Sequence, residues 1–192
     1  MPTPNQAALD FLLTRRSRPA KTLTAPVPDA GALDVILTAA ARSPDHGKLE
    51  PWRFIVLEKV ALARLAGEVA TRGAELGLAA DAIDKAVAQF ANADLAVAVI
   101  SSPKLSDKIP AIEQVYSAGA VCLALLNAAL AAGWGANWLS GWASHDRQFV
   151  ETAFGLTPHE AIAGLIHIGT QTHAPPERPR PDVSALTTWM RQ

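Results

Sequence analysis

The chain has 192 residues, and 49% of them are hydrophobic, which is enough for one sizeable core within the usual length of a domain. Its 17 basic and 18 acidic residues give a formal net charge of -1. This balance lacks the clustered positive charge on which nucleic-acid binding rests, so no nucleic-acid partner is expected. We predict a single domain over residues 1–192.

Cys122 is the only cysteine, so we expect neither a disulfide framework nor a cysteine-based metal site, and no metal is predicted. It lies in an apolar run, which favours a small buried side chain. Residues 1–10 contain no basic leader and no long apolar stretch. We therefore expect no secretory signal and predict a cytoplasmic location.

Apolar residues at helical spacing predict one helix over residues 7–16 and a second around residues 33–40. Residues 52–58 and 94–101 have the short, partly β-branched composition of strands. Between these strands, residues 60–91 predict two helices with a break near Gly77 and Asp81.

Residues 109–132 form the longest predicted helix, and residues 135–140 suit a short strand. Farther along, the pattern predicts a helix from an N-cap at Ser144 to about Gly155, a capping box over residues 157–160 with Pro158 at the first helical position, and a strand over residues 163–169. Helices around a modest sheet define an α+β class.

The longest predicted helix carries no charge after Glu113, because no charged residue occurs between Gln114 and Ser144. Its continuous apolar part, residues 118–132, is shorter than the roughly 20 residues that a membrane span needs, so no membrane partner is expected. A helix that is apolar nearly all round must be buried in a core or against another subunit. We therefore expect a homodimer with this helix at its centre.

The last segment begins with four prolines in residues 173–182, which exclude a regular helix or a central strand. We expect it to run extended over a surface before a short helix over residues 183–190. Arg178 and Arg180 project at alternate positions. Two interpretations stay open: a solvated tail, or an arginine that closes on a bound phosphate.

Arg15, Arg16 and Ser17 at the end of the first helix, and Arg42 and His46 on a later loop, suit a phosphorylated heteroaromatic ligand. A guanidinium offers a planar fork of donors that matches phosphate oxygens two at a time. Two alternatives stay open: the arginines at a helix C-terminus are favoured by the helix dipole, and the histidine is an ordinary loop residue.

The chain resembles the FMN-dependent nitroreductases, especially the short bacterial branch. The shared segments, in family order, are Arg15-Arg16-Ser17, Arg42-Ser-Pro-Asp-His46, Glu50-Pro51-Trp52-Arg53-Phe54, the helix starting at Ser117-Ala-Gly, Gly133-Trp-Gly135, Trp138-Leu-Ser-Gly141 and Ile168-Gly169-Thr170. Each segment alone is weakly specific, but their order covers nearly the whole chain. The resemblance implies a central mixed or antiparallel sheet flanked by helices, with the long apolar helix at the dimer interface.

The resemblance also implies site residues in a homodimer whose two FMN molecules contact both chains. Arg15, Arg16 and Ser17 would hold the FMN phosphate and the polar edge of the cofactor, and Arg42 and His46 would contact the phosphate or ribityl region. Leu139, Ser140 and Gly141 would lie against the cofactor, and residues 129–134 would contact the nicotinamide nucleotide.

Two departures from the family pattern affect these roles. Position 139 is Leu where relatives can present Arg, so a contact to the flavin edge or phosphate is either missing or taken over by Arg178 or Arg180. The loop after His46 contains Glu50 in place of the amide-rich form of longer nitroreductases. Substrate preference is therefore left open.

The implied activity is a ping-pong reaction in which NAD(P)H gives a hydride to FMN and a nitroaromatic or quinone-type acceptor then takes its place. The cofactor would carry the chemistry, so no catalytic side chain is assigned. Two alternatives remain: a flavin enzyme of other chemistry on the same fold (dehalogenation, enone reduction or flavin breakdown), and a non-catalytic FMN-binding or storage protein.

Three tryptophans, Trp134, Trp138 and Trp142, recur every four residues. They could line an aromatic substrate box, although side chains of this size are more often core or interface residues. We favour the second interpretation.

Overall fold

The computed structural model describes residues 3–191; residues 1, 2 and 192 of the predicted domain lie outside them. Over the described residues, six α-helices and five β-strands confirm the α+β class. The helices are α1 (Gln6–Thr14), α2 (Ala30–Ala40), α3 (Lys59–Glu75), α4 (Ala80–Ala91), α5 (Ala111–Ala131) and α6 (Arg147–Phe154). The strands are β1 (Leu23–Thr24), β2 (Trp52–Glu58), β3 (Leu95–Ser101), β4 (Gly135–Leu139) and β5 (Ala161–Gln171).

The sheet is antiparallel at every strand pair in the described residues, which resolves the expectation of a mixed or antiparallel sheet. Strand β5 is its centre, since it pairs with β3 along one edge, with β4 along the other, and with β1 at its end. All seven residues of β3 are buried, so this strand is apolar throughout rather than alternating.

Two hydrophobic cores lie on opposite faces of the sheet. The first contains side chains from α3, α4 and α6, including Leu65, Phe90 and Phe149. The second contains side chains from α2 and α5, and it includes Cys122, which is fully buried as predicted. Burial raises the pKa of the Cys122 thiol to about 12, so it remains an inert core group.

Helix α5 has the length and hydropathy of a membrane span, but its inward face belongs to the second core. The core helix of a folded domain passes the same test of length and composition. Its length is therefore explained by its packing against α2, β3, β4 and β5.

Helix α1 ends at Thr14, two residues before the predicted end, and Arg15 is its C-cap with an extended backbone. The cause is tertiary pairing, because the Arg18 amide donates to the Ala136 carbonyl at 2.8 Å. The Asn137 side chain also donates to the Arg18 carbonyl at 2.6 Å. The arginine pair thus lies on an extended segment beside β4.

Three other predictions in the C-terminal half are wrong. Asp146, and not Ser144, is the N-cap of α6 and accepts a hydrogen bond from the Phe149 amide. Glu160 does accept from the Thr157 amide, as in a capping box, but the chain then enters β5 because the Glu160 carboxylate forms a bidentate pair with Arg53 at 2.7 and 2.9 Å. Residues 183–186 form a turn and residues 187–190 no regular structure, and all their side chains are exposed, so no core contact stabilises the predicted short helix.

Candidate functional site

The segment Arg15–Ser17 directly follows α1, and residues of the C-terminal tail pack over it. The Arg15 Nη2 atom donates to Ser17 Oγ at 3.0 Å, and Arg16 Nη2 donates to the Pro176 carbonyl at 2.8 Å. The Nε atoms of both arginines are buried and have no hydrogen-bond partner within residues 3–191. Buried donors are nearly always paired, so two orphaned guanidinium nitrogens indicate a missing acceptor.

The proline-rich tail closes this segment into a cavity of about 540 Å³, which we call the arginine cavity. It is lined by Arg15, Arg16, Ser17, Arg178, Pro179, Arg180 and Pro181. The structure therefore brings together five of the predicted site residues, three from the N-terminal segment and two from the tail. Residues 173–182 contain no helix and no strand, as their four prolines predict.

The cavity has a strongly positive potential. The pKa of Arg15 is lowered, first by burial and then by the charges of Arg180 and Arg16. The Glu177 carboxylate forms ion pairs with two of these cations: its Oε1 atom lies 2.9 Å from Arg180 Nη2 and 4.0 Å from Arg16 Nε. Sequence reasoning missed Glu177, although its position between Arg178 and the prolines could have drawn attention to it.

Arg42 and His46 lie elsewhere, so this single chain does not bring them to the arginine cavity. His46 lines a separate pocket of about 300 Å³, the His46 pocket, with Pro44, Asp45, Glu113, Tyr116, Ser117 and Ala120. Its Nδ1 atom lies 2.6 Å from Glu113 Oε2 on α5, a partner that sequence reasoning did not find. This contact fixes the ring and leaves Nε2 for another partner.

The loop around His46 is held in a strained shape. Gly47, Lys48 and Glu50 all have positive φ, at 76°, 55° and 48°, and two of them are not glycine. The Asp45 carboxylate supports the turn by accepting from the Glu50 amide at 2.6 Å. Backbone strain of this kind is typical of functional loops and costs about 1–3 kcal/mol per residue. Glu50 serves here as a backbone donor.

Leu139 is the last residue of β4, Ser140 and Gly141 follow it, and none of the three lines the arginine cavity. Ser140 Oγ contacts His145 Nε2 at 3.1 Å. Leu139 lines a third pocket of about 270 Å³, the Leu139 pocket, together with Ala20, Lys21, Lys85, Gln89 and His167 among others. The chain therefore divides the other predicted residues among the arginine cavity, the His46 pocket and the end of β4, while Arg42 is exposed in the turn after α2.

Residues 129–134 only partly suit the predicted nicotinamide contact. Ala129 is fully buried in the second core and cannot touch a soluble ligand. Residues 131–133 are exposed at the end of α5, where Gly133 has a φ of 88°.

The tryptophans do not form one aromatic box. Trp134 packs against the second core and Trp142 against the first, on opposite faces of the sheet. Trp138 covers Gly164, where any Cβ would overlap the indole ring. These positions agree with the interpretation of the three side chains as packing residues.

The nitroreductase family model matches residues 12–170. A protein of Escherichia coli (strain K12) named putative NAD(P)H nitroreductase YdjA is 36% identical over 163 residues, which cover 85% of this chain and 87% of that protein. A putative NAD(P)H nitroreductase of Haemophilus influenzae is 37% identical over 166 residues, covering 85% and 88%. The chain therefore belongs to the nitroreductase family.

Two solved structures show the same fold. A nitroreductase-like family protein from Bacillus cereus aligns with a TM-score of 0.76 at 23% identity and covers 100% of both chains. A putative nitroreductase from Desulfovibrio desulfuricans, crystallised in complex with FMN, aligns with a TM-score of 0.72 at 21% identity and covers 99% of this chain and 100% of the other. The resemblance stated from the sequence and the nitroreductase-like fold are both confirmed.

Proposed function

We propose that this chain is an NAD(P)H-dependent flavin oxidoreductase that holds the phosphate of FMN in the arginine cavity. The observation that carries the proposal is the pair of buried Arg15 and Arg16 Nε atoms, which have no hydrogen-bond acceptor among residues 3–191. A phosphate supplies several anionic oxygens, and each charge-assisted hydrogen bond contributes about 1.5–3 kcal/mol. Family membership and the FMN-bound Desulfovibrio desulfuricans neighbour support the same ligand.

The Glu177 carboxylate supports the choice of an anionic group. Its anionic oxygen already pairs with Arg180 and Arg16. The pKa of Glu177 is lowered, first by the hydrogen bond from the Arg178 amide and then by the charges of Arg180 and Arg16. The site is thus built for anionic oxygen. A phosphate that binds there would displace Glu177 or share the guanidinium groups with it.

Bound FMN would supply hydride transfer from NAD(P)H to a nitroaromatic or quinone-type acceptor. The side chains would provide binding and orientation. Arg15, Arg16, Arg178 and Arg180 would neutralise the phosphate, and the neighbouring end of β4 at Leu139–Gly141 would position the ring. Relatives named as NAD(P)H nitroreductases support this assignment of the reductant.

We also propose a homodimer, because large apolar side chains remain exposed on two helices. None of the nine described residues of α1 is buried, and its Leu12 and Leu13 are 58% and 70% exposed. On α5, Tyr116 is 68% exposed beside the His46 pocket. A surface of this kind is typical of a subunit interface.

The dimer also accounts for the separation of His46 from the arginine cavity. In our proposal each FMN site takes Arg15, Arg16 and Ser17 from one chain and Arg42 and His46 from its partner. The cytoplasmic location stays a prediction.

The test begins with purified protein and FMN. The proposal expects a yellow dimer with one FMN per chain, loss of the flavin absorbance with NADH or NADPH under argon, and its return on addition of a nitroaromatic or quinone. Reduction without reoxidation by either acceptor class would favour another flavin chemistry on this fold. A bound flavin that neither nicotinamide reduces would favour the binding-protein alternative and contradict the proposal.

A further inference from the structure

The Leu139 pocket contains two polar groups that have no hydrogen-bond partner among the residues that the structure describes. Gln89 Nε2 on α4 and His167 Nε2 on β5 are both buried and have no hydrogen-bond partner within residues 3–191. Both residues line the pocket, and His167 is only 2% exposed. Because an unmade hydrogen bond of a buried group costs about 1–3 kcal/mol, two of them in one pocket call for a ligand.

The segment that lines part of the arginine cavity continues into the Leu139 pocket. Arg15, Arg16 and Ser17 line the cavity, and Ala20 and Lys21, a few residues later, line the pocket. Gln89 also lies beside the end of β4, since a Cβ built on Gly141 would sit 3.5 Å from Gln89 Oε1. The amide therefore neighbours the segment proposed to position the ring.

From this arrangement we infer that Gln89 and His167 hydrogen-bond the polar edge of the bound ring system, a contact made by neutral groups at a site where position 139 offers only a leucine. The inference rests on the proposed function. The ligand group is a heteroaromatic edge with carbonyl oxygens and a ring N–H. Such an edge needs donors and acceptors together, and a primary amide supplies both.

The protonation state of His167 fits this role. Burial lowers its pKa to about 4, so the imidazole is neutral at pH 7 and carries one N–H and one lone pair. The cations of the pocket, Lys21 and Lys85, are exposed at its rim. The interior of the pocket is therefore uncharged, unlike the arginine cavity.

The experiment compares FMN with riboflavin, which has the same ring and no phosphate. Gln89→Leu should weaken the binding of both flavins by the same factor, about threefold to tenfold, the size of one net hydrogen bond. His167→Leu should do likewise, and His167→Gln should restore most of the affinity. Gln148→Leu, on an exposed amide outside the pocket, is the matched control. Fluorescence quenching measures each dissociation constant, and circular dichroism checks that each variant is folded.

The two proposals fail in different ways. If Gln89→Leu and His167→Leu each bound FMN as tightly as wild type does, and riboflavin as tightly as wild type does, the ring-edge inference would be overturned and the oxidoreductase proposal would stand. Loss of FMN affinity in Gln89→Leu with unchanged riboflavin affinity would also overturn it, because that result places Gln89 at the phosphate. Wild-type protein that binds neither flavin would overturn both proposals. Because Gln89 is only partly buried on α4, its variant keeps the test available if the His167 variants misfold.

Discussion

The segment 15–21 contributes residues to both the arginine cavity and the Leu139 pocket, yet the two sites differ in chemistry. The cavity holds four guanidinium groups and one carboxylate, whereas the interior of the pocket holds a neutral amide and a neutral imidazole. Both sites contain buried nitrogen atoms that have no hydrogen-bond partner in the part of the chain that the structure describes. The difference teaches that two sites joined by one short segment can present charge to an anionic group and neutral hydrogen bonds to a ring, as a ligand with two unlike ends requires.

The largest predicted effect is a loss of stability in acid, and it comes from His167 in the Leu139 pocket. The pKa of His167 is about 4 in the folded chain and about 6.5 when unfolded, so between these values the unfolded chain binds more protons. The stabilisation is complete above pH 6.5 and is lost as the pH falls towards 4. We expect this residue to remove about 3 kcal/mol from the free energy of unfolding over that range, measured by urea titration.

His167→Gln is the control for this effect, because it cannot be protonated. The difference in unfolding free energy between wild type and this variant should change in favour of the variant as the pH falls. The charged or polar groups around the histidine, Lys21, Lys85, Gln89 and Asp94, are the same in both proteins. A difference that does not vary between pH 7 and 4.5 would show that His167 is not held neutral.

Substitutions in the arginine cavity should act on FMN and not on its ring. Arg15→Ala and Arg16→Ala should each weaken FMN binding about ten- to hundredfold, because each removes charge-assisted hydrogen bonds to phosphate. Arg64→Ala is a suitable control, since Arg64 lies on α3 and pairs with Glu68 at 2.6 Å. Unchanged FMN affinity in both cavity variants would return the two arginines to a role in local structure.

Glu177→Gln should have a smaller effect of the opposite sign. The substitution removes the carboxylate that competes with phosphate for Arg16 and Arg180, so FMN should bind more tightly, but only by the small factor that exposed ion pairs allow. Glu68→Gln makes the same change of charge far from the cavity. Weaker FMN binding in Glu177→Gln would mean that the carboxylate supports the site instead of competing for it.

The smallest effect tests how the His46 pocket joins the arginine cavity. Neither the Arg15→Ala/Arg16→Ala protein nor the His46→Ala protein should retain a full complement of FMN. In mixed dimers, however, one of the two sites regains all wild-type groups if each site takes His46 from the partner. Flavin per isolated mixed dimer should therefore approach one half of the wild-type amount. If the mixed dimers held no more flavin than the two parent variants do, His46 and the arginines of one site would have to come from the same chain.

Sequence patterns predicted best those parts of the chain whose signal is local. The strand at Trp52–Glu58 and the long helix at Ala111–Ala131 follow from their own periodicity, within two residues at each end. The cluster of Arg15, Arg16, Arg178 and Arg180 was accessible because guanidinium chemistry is specific and the tail could fold only as an extended chain.

The parts that failed depend on distant partners. Glu160 reads locally as a capping-box residue, but Arg53 on another strand holds its carboxylate and lowers its pKa to about 2. Gln89 and His167 are separated by almost eighty residues, and only the pairing of β3 with β5 brings the end of α4 over the histidine. Periodicity carries no information about such contacts.

The central claim is that the arginine cavity binds the phosphate of FMN. Calorimetric titration of the wild-type protein with FMN, with and without inorganic phosphate, tests it most directly. We predict one FMN per chain, with an apparent affinity that falls as phosphate is added, and riboflavin binding that is weaker and insensitive to phosphate. Equal affinities for FMN and riboflavin, with no effect of phosphate on either, would contradict the claim.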